Sequence, residues 1–394
     1  KILCYLSRGA GTALATFQCA ALRRRSPQFN TRRRDGARHV RSLRLQTTQP
    51  ACLERPTDIL SRLSPRRIVI PVIIGLSVVA FMFWRSYKPG DLAPLSGAHW
   101  GWLLATFGVL AARDFGYIYR IRHLTHRALS WRQSLDVIMI WELASCVMPS
   151  AVGGTTVATF IIGKEGVPLG KSLAYVMVTA MLDNLYYVVL VPLVIIFAGD
   201  GLYPREAVPG AFITTLKIFF GVSYVLVLFY SGLMLYGLFV NPRAVRRLIV
   251  RVFSIKWLRK RRNWAYLQGQ EMVLASEVLR GSGWGYWARA AGSTAFVWTA
   301  RYLVINTLIA AFTPTTGGEH SMIFARNLIY KVVLLVALTP GGAGFAEGAF
   351  PTFFRRFIGT DTMVNFIVFL YRIVTFYLYL VLGSYFLPRW VARV

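Results

Sequence analysis

Six apolar runs, at 68–84, 99–121, 172–198, 211–240, 286–312 and 362–387, constrain this chain more than any other feature. Each approaches or exceeds the roughly 20 helical residues needed to cross ~30 Å of hydrocarbon. Shorter, interrupted runs lie at 134–163 and 321–357. With 55% hydrophobic residues, 14% aromatic residues and a mean hydropathy of +0.49, the chain reads as an all-α integral membrane protein. About six full spans are expected, plus whatever the two interrupted runs form.

The formal charge of +29 would suggest nucleic acid in a soluble chain. At a membrane it suggests anionic lipid instead, and no nucleic-acid partner is expected. Residues 241–262 carry nine Lys/Arg and no acid, and 120–132 carry Arg120, Arg122, Arg127 and Arg132. Both segments read as cytoplasmic by the positive-inside rule, whether as a topogenic signal alone or with lipid preference as well. The basic loop extends over 241–285, and the Trp and Tyr residues in and beside it, such as Trp284, Tyr286 and Trp287, suit an interfacial anchor. Residues 1–66 are Arg-rich and lack an apolar period; they are expected to be a disordered or extraneous extension, or a targeting segment, ahead of a membrane domain over 67–390. The four cysteines are scattered, His123 and His126 form a lone HxxH at a basic helix end, and neither pattern indicates a disulfide, a metal site or a cofactor.

Charge parity fixes a topology. With the cytoplasmic N-terminal side and the two basic segments all inside, spans 172–198 and 211–240 flank an external loop, and 163–171 lies inside. Residues 133–163 then begin and end on one side. They contain MPSAVGG (148–154), whose Pro149, Gly153 and Gly154 do not support a straight helix. The same count through 286–394 makes 321–357 enter and leave from the outside, turning at PGGAG (340–344). Two re-entrant helical hairpins, oppositely inserted in corresponding places of two halves, point to an inverted-repeat transporter with a midplane site. Straight crossings are the alternative, favoured by Arg355 and Arg356 on the supposed outer side.

Irregular backbone survives at membrane depth only around a cavity or inside protein. Glycines at such a break admit a ligand close to the backbone, and a helix restarting after Gly344 presents N–H groups to an anion such as phosphate. Glu347, one turn on, is placed to bind a cation or exchange a proton, or alternatively to pair with a neighbouring structural group. Further ionisable residues at membrane depth are Arg113, Asp114, Glu142, Asp183, Arg301, Arg326 and Lys331. Arg301 and Arg326 are the preferred anion ligands, since a guanidinium matches phosphate oxygens. Adjacent residues point apart on a helix, so Arg113 and Asp114 are expected to have separate partners.

TPGGAGFAE (339–347), with MPSAVGG and KEG (164–166) in the first half, resembles the signature of the membrane domain of lysylphosphatidylglycerol synthases and their stand-alone, flippase-like relatives. The resemblance covers about residues 68–390. It marks Pro340, Gly341, Gly342, Gly344 and Glu347, with Pro149, Gly153 and Gly154, as substrate-binding positions; Arg301, Arg326, Arg113 and Asp183 join them from the charge reading. Many members of that family carry Glu directly after the first-half glycine, where this chain has Gly154, so a carboxylate role in that half falls to Glu142 or Glu165 if to any. The resemblance implies a multi-pass protein of the cell (inner) membrane that moves an anionic or aminoacylated phospholipid, or a lipid-linked amphiphile, between leaflets without synthesising it. An intramembrane lipid-modifying enzyme and a non-transporting assembly or regulatory protein are the alternatives. No catalytic residue is assigned: there is no HExxH, and Gly281-Ser282-Gly283 lies in the interfacial loop.

Overall fold

The computed structural model describes residues 97–394 except 149–150, 205–209, 335–343 and much of 253–280, together with isolated residues of 73–84. The 1–66 extension lies outside the described residues, as does most of the 68–84 span. In chain order the helices are α1 (Trp100–Leu124), α2 (Trp131–Val147), α3 (Ala151–Lys164), α4 (Leu169–Ala198), α5 (Gly210–Leu235), α6 (Pro242–Val252), α7 (Trp284–Ala310), α8 (Gly317–Leu334), α9 (Phe345–Ile358), α10 (Asp361–Arg372) and α11 (Leu378–Arg393). No strand occurs among the described residues. A π-helical turn, Ile373–Tyr377, joins α10 to α11 without a break.

Three helical stretches, Gly170–Ala198, Ile213–Val240 and Asp361–Arg393, are long and apolar enough to cross a membrane. Phe197, Leu226 and Phe229 point outward from them, as befits a lipid-facing surface. The more polar α1 and α7 bury their polar residues against each other. His99 N–H donates to Ala311 O (2.8 Å), Thr106 Oγ1 to Thr307 Oγ1 (2.9 Å) and Arg120 Nη1 to Thr294 Oγ1 (3.3 Å). As the α1 numbers rise the α7 numbers fall, so the pair is antiparallel. Close approach depends on Gly116: a Cβ there would lie 2.6 Å from Val297 Cγ2.

The two interrupted segments are hairpins. Ser130 starts α2 with a capping box: its Oγ accepts from Gln133 N–H (3.2 Å) and Gln133 Oε1 accepts from Ser130 N–H (2.8 Å). Gln133 Nε2 then donates to Glu165 Oε2 (2.7 Å), bringing the two ends of the α2–α3 segment together. In the second half, Tyr330 Oη donates to Ala346 O (2.9 Å) and Arg326 Nη1 to Phe353 O (3.2 Å), an antiparallel order for α8 and α9. At 17 and 14 residues in the first hairpin and 18 and 14 in the second, every arm is shorter than α1 with 25. The first hairpin begins at the C-terminal end of α1. The second begins beyond α7, at the opposite end of α1, where the Trp102 ring meets His320 at 5.3 Å. The two antiparallel helix pairs therefore start from opposite ends of α1. A long helix, a hairpin and an apolar helix recur in each half with reversed direction, which is an inverted repeat.

Candidate functional site

Four helices of the first and second halves line a partly open cavity of about 120 Å³. Tyr117, Arg120 and Ile121 come from α1, Ile138, Trp141, Glu142 and Ser145 from α2, Thr179 and Asp183 from α4, and Trp298 and Arg301 from α7. Tyr117 is seven residues from Leu124, and Arg301 is nine from Ala310, so both lie roughly 10 Å or more from the helix ends. The space admits several waters or a compact polar group.

The charges in this wall are not equally committed. Arg120 pairs with Asp183, whose Oδ1 also accepts from Trp298 Nε1 (2.7 Å). Arg301 donates to the Tyr117 hydroxyl (2.9 Å) and lies over the Trp298 ring at 5.4 Å. Lys331, on α8, donates to Tyr371 Oη (2.9 Å), and Tyr371 feels Arg301 and Arg372 as well. Among the described residues, Arg301 and Lys331 thus meet phenol oxygens, with no carboxylate in ion-pair contact. Cations so placed at membrane depth attract an anion.

Arg113 and Asp114 correct the expectation of separate partners. Arg113 Nε and Nη2 both donate to Asp114 Oδ1 (3.0 and 2.7 Å). The backbone directs the two Cα–Cβ bonds apart, but a long guanidinium stem curls back to its neighbour. Tyr379 Oη completes the group by donating to Asp114 Oδ2 (2.6 Å), and the Arg113 guanidinium lies 4.7 Å from the Tyr379 ring centroid.

Glu347 is fully buried in the first turn of α9. Its Oε2 accepts from Gly344 N–H (2.8 Å), and Gly344 itself adopts φ +83°, where a residue without Cβ is favoured. Its Oε1 lies 2.8 Å from Arg372 Nε. The N–H there is not aligned for a hydrogen bond, but at this separation charge attraction holds the two together as an ion pair. This is the paired arrangement weighed against a ligand role, with Arg372 a partner that the sequence reading did not single out. Arg326 is also buried, and its Nε and Nη1 donate to Gly201 O (3.1 Å) and Phe353 O (3.2 Å). Neither Glu347 nor Arg326 lines the cavity of Arg301. Pro149, Pro340, Gly341 and Gly342 lie outside the described residues.

Gly153 sits in the first turn of α3. Gly154 next to it supports the cavity directly. A Cβ there would meet Ser145 Oγ at 2.7 Å and Trp141 Nε1 at 3.3 Å, so this glycine lets α3 press on the wall that carries Glu142. Of the two acids considered for the first half, Glu142 faces the cavity. Glu165 instead accepts from Gln133, from Trp390 Nε1 (2.7 Å) and from Arg393 at the hairpin base. His123 and His126 pack against Tyr286 with ring centroids 4.9 and 4.8 Å away, consistent with an interfacial place.

Arg120, Tyr117 and Trp298 were missed as site residues. Arg120 stands at the head of the basic segment 120–132, yet 113, 117 and 120 recur at helical spacing on one face.

Antiparallel long helices, two hairpins inserted from opposite ends and a charged interior define a membrane domain of inverted repeats. The chain belongs to the family of the lysylphosphatidylglycerol synthase transmembrane region, whose sequence profile matches residues 68–383. A UPF0104 membrane protein of Archaeoglobus fulgidus is 23% identical over 333 residues, covering 80% of this chain and 94% of its own.

Proposed function

We propose that this protein moves a phosphate-bearing phospholipid, aminoacylated or not, or a lipid-linked amphiphile of like charge, between the leaflets of the cell membrane, as a transporter and not as an enzyme. The observation that carries this reading is Arg301: a cation at membrane depth, lining a cavity, with a phenol and an indole ring as neighbours in place of a carboxylate. A phosphate oxygen entering the cavity reaches a guanidinium that, among the described residues, no carboxylate contacts directly, and a guanidinium receives it in a two-pronged geometry. The small volume takes the head group while the acyl chains stay in hydrocarbon. Hairpins inserted from opposite ends offer the two gates that alternating access requires. The family's name ties its transmembrane region to lysylphosphatidylglycerol, which supports a phospholipid cargo.

The test is reconstitution into liposomes carrying head-group-labelled anionic, zwitterionic, aminoacylated or uncharged lipids, with movement read by quenching the outer leaflet. Phosphate-bearing lipids are expected to move and a phosphate-free lipid to stay. Equal movement of all of them, or of none, contradicts the reading.

A further inference from the structure

Glu142 stands apart from the other carboxylates at membrane depth. Asp183 is held by Arg120 and Trp298, Asp114 by Arg113 and Tyr379, and Glu347 by Arg372 and the Gly344 N–H. Glu142 has one ionic neighbour, Arg113 Nη2 at 3.8 Å, and that nitrogen is already 2.7 Å from Asp114. No hydrogen bond reaches the Glu142 carboxylate among the described residues. Its side chain retains 14% exposure and opens into the cavity that Arg301 lines.

The wall's charges then balance: Arg120 and Arg301 against Asp183 and Glu142. An anion arriving at Arg301 meets the negative Glu142 in a poorly screened site, where repulsion is strong. A proton on Glu142 removes that repulsion and leaves one net positive charge for the anion to neutralise. We propose that Glu142 is a proton-coupling residue. Each anionic head group bound at Arg301 is accompanied by one proton, taken from solvent through the cavity onto a Glu142 carboxylate oxygen and released when the head group leaves. The inference rests on the cavity being the head-group site, and it makes the movement a proton–anion symport.

The other groups around Glu142 are paired, ordinarily uncharged or fixed in charge; Asp183, on α4 in the same wall, is held by Arg120. From α1 come Arg113 and Asp114, which neutralise each other, and Tyr117; Arg301 comes from α7, Tyr379 from α11, and Cys146 from its own helix. Phenols and thiols are ordinarily uncharged at neutral pH, and guanidinium is always charged. Linkage is reciprocal, so the proton must favour the anion as much as the anion favours the proton.

The experiment uses the full chain in detergent micelles with a soluble short-chain phosphatidylglycerol as probe. Binding is read from tryptophan fluorescence, since Trp141 and Trp298 line the cavity, and proton uptake from an indicator dye in weak buffer. About one proton should be taken up per anion bound, with affinity weakening by up to about tenfold per pH unit as pH rises. Glu142→Gln should still bind, take up no proton and lose the pH dependence; Glu142→Asp should restore uptake. Wild-type binding without uptake, or unchanged uptake in Glu142→Gln, overturns this inference alone. Absence of saturable binding by the wild-type protein overturns the head-group site as well. A wild-type stoichiometry near zero overturns the inference even if a variant fails to fold.

Discussion

Replacing Glu347 with Gln separates structural from ligand roles for the carboxylate that the glycine-rich break presents. The amide keeps an oxygen for the Gly344 N–H, so the start of α9 should persist. The charge is lost, and Arg372, with only 7% of its side chain exposed, loses its carboxylate partner. Removing one partner of a buried pair costs about 3–5 kcal/mol. The Arg372 guanidinium lies 4.1 Å from the Phe376 ring centroid and keeps a further interaction, which offsets about 1 kcal/mol. The net loss is therefore roughly 2–4 kcal/mol, or a fall of about 4–8 °C in apparent melting at ~2 °C per kcal/mol for a chain of this size. Differential scanning fluorimetry in detergent at fixed scan rate reads it, because such unfolding is often irreversible. Adding Arg372→Met should recover most of the loss, since an apolar pair in place of a buried ion pair is close to neutral. A Gln variant that melts with the wild type yet moves no lipid would refute this reasoning and return Glu347 to the site.

Other expectations follow from close contacts and from the hairpins. Gly154→Val places atoms against Ser145 and Trp141 and should cost about 1–3 kcal/mol while collapsing the cavity, seen as lower melting and lost lipid movement together. Gly383→Ala puts its Cβ 2.4 Å from Leu143 Cβ; it should cost a similar ~1–3 kcal/mol by overpacking at the α2–α11 contact, measured by melting alone. Asp183→Asn should strand Arg120, lower the melting temperature and weaken anion binding; unchanged melting would show that the pair does not hold α1 to α4. Single cysteines at Arg132 and Pro168 should label from one face of the membrane, and at Pro314 and Arg356 from the other; labelling of either pair from both faces contradicts the hairpins.

Much of the architecture was legible because hydrocarbon imposes simple rules. The apolar run 286–312 became α7 over 284–310, and 99–121 became α1 over 100–124. The hairpins were legible from Pro149, Gly153 and the PGGAG sequence only once charge parity demanded that each segment return to its own side. Pairings were not legible. Arg372 lay unnoticed inside the run 362–387, yet a cation in so apolar a span needs a buried partner, and that signal was available. The Arg113–Asp114 contact depends on rotamers, which sequence spacing does not specify. That Arg301 would meet Tyr117 and Arg120 would meet Asp183 depends on how α1, α4 and α7 cross, and a helical period alone carries no such information.

The most direct test of a head-group site at Arg301 is the rate of movement of a labelled anionic phospholipid in liposomes containing wild-type protein or Arg301→Gln. Arg301 has no ion pair among the described residues, so the variant should melt within a few degrees of the wild type. The loss of a charge-assisted contact, ~1.5–3 kcal/mol, should slow movement by about 10- to 150-fold. Undiminished movement in a well-folded Arg301→Gln protein would contradict the account.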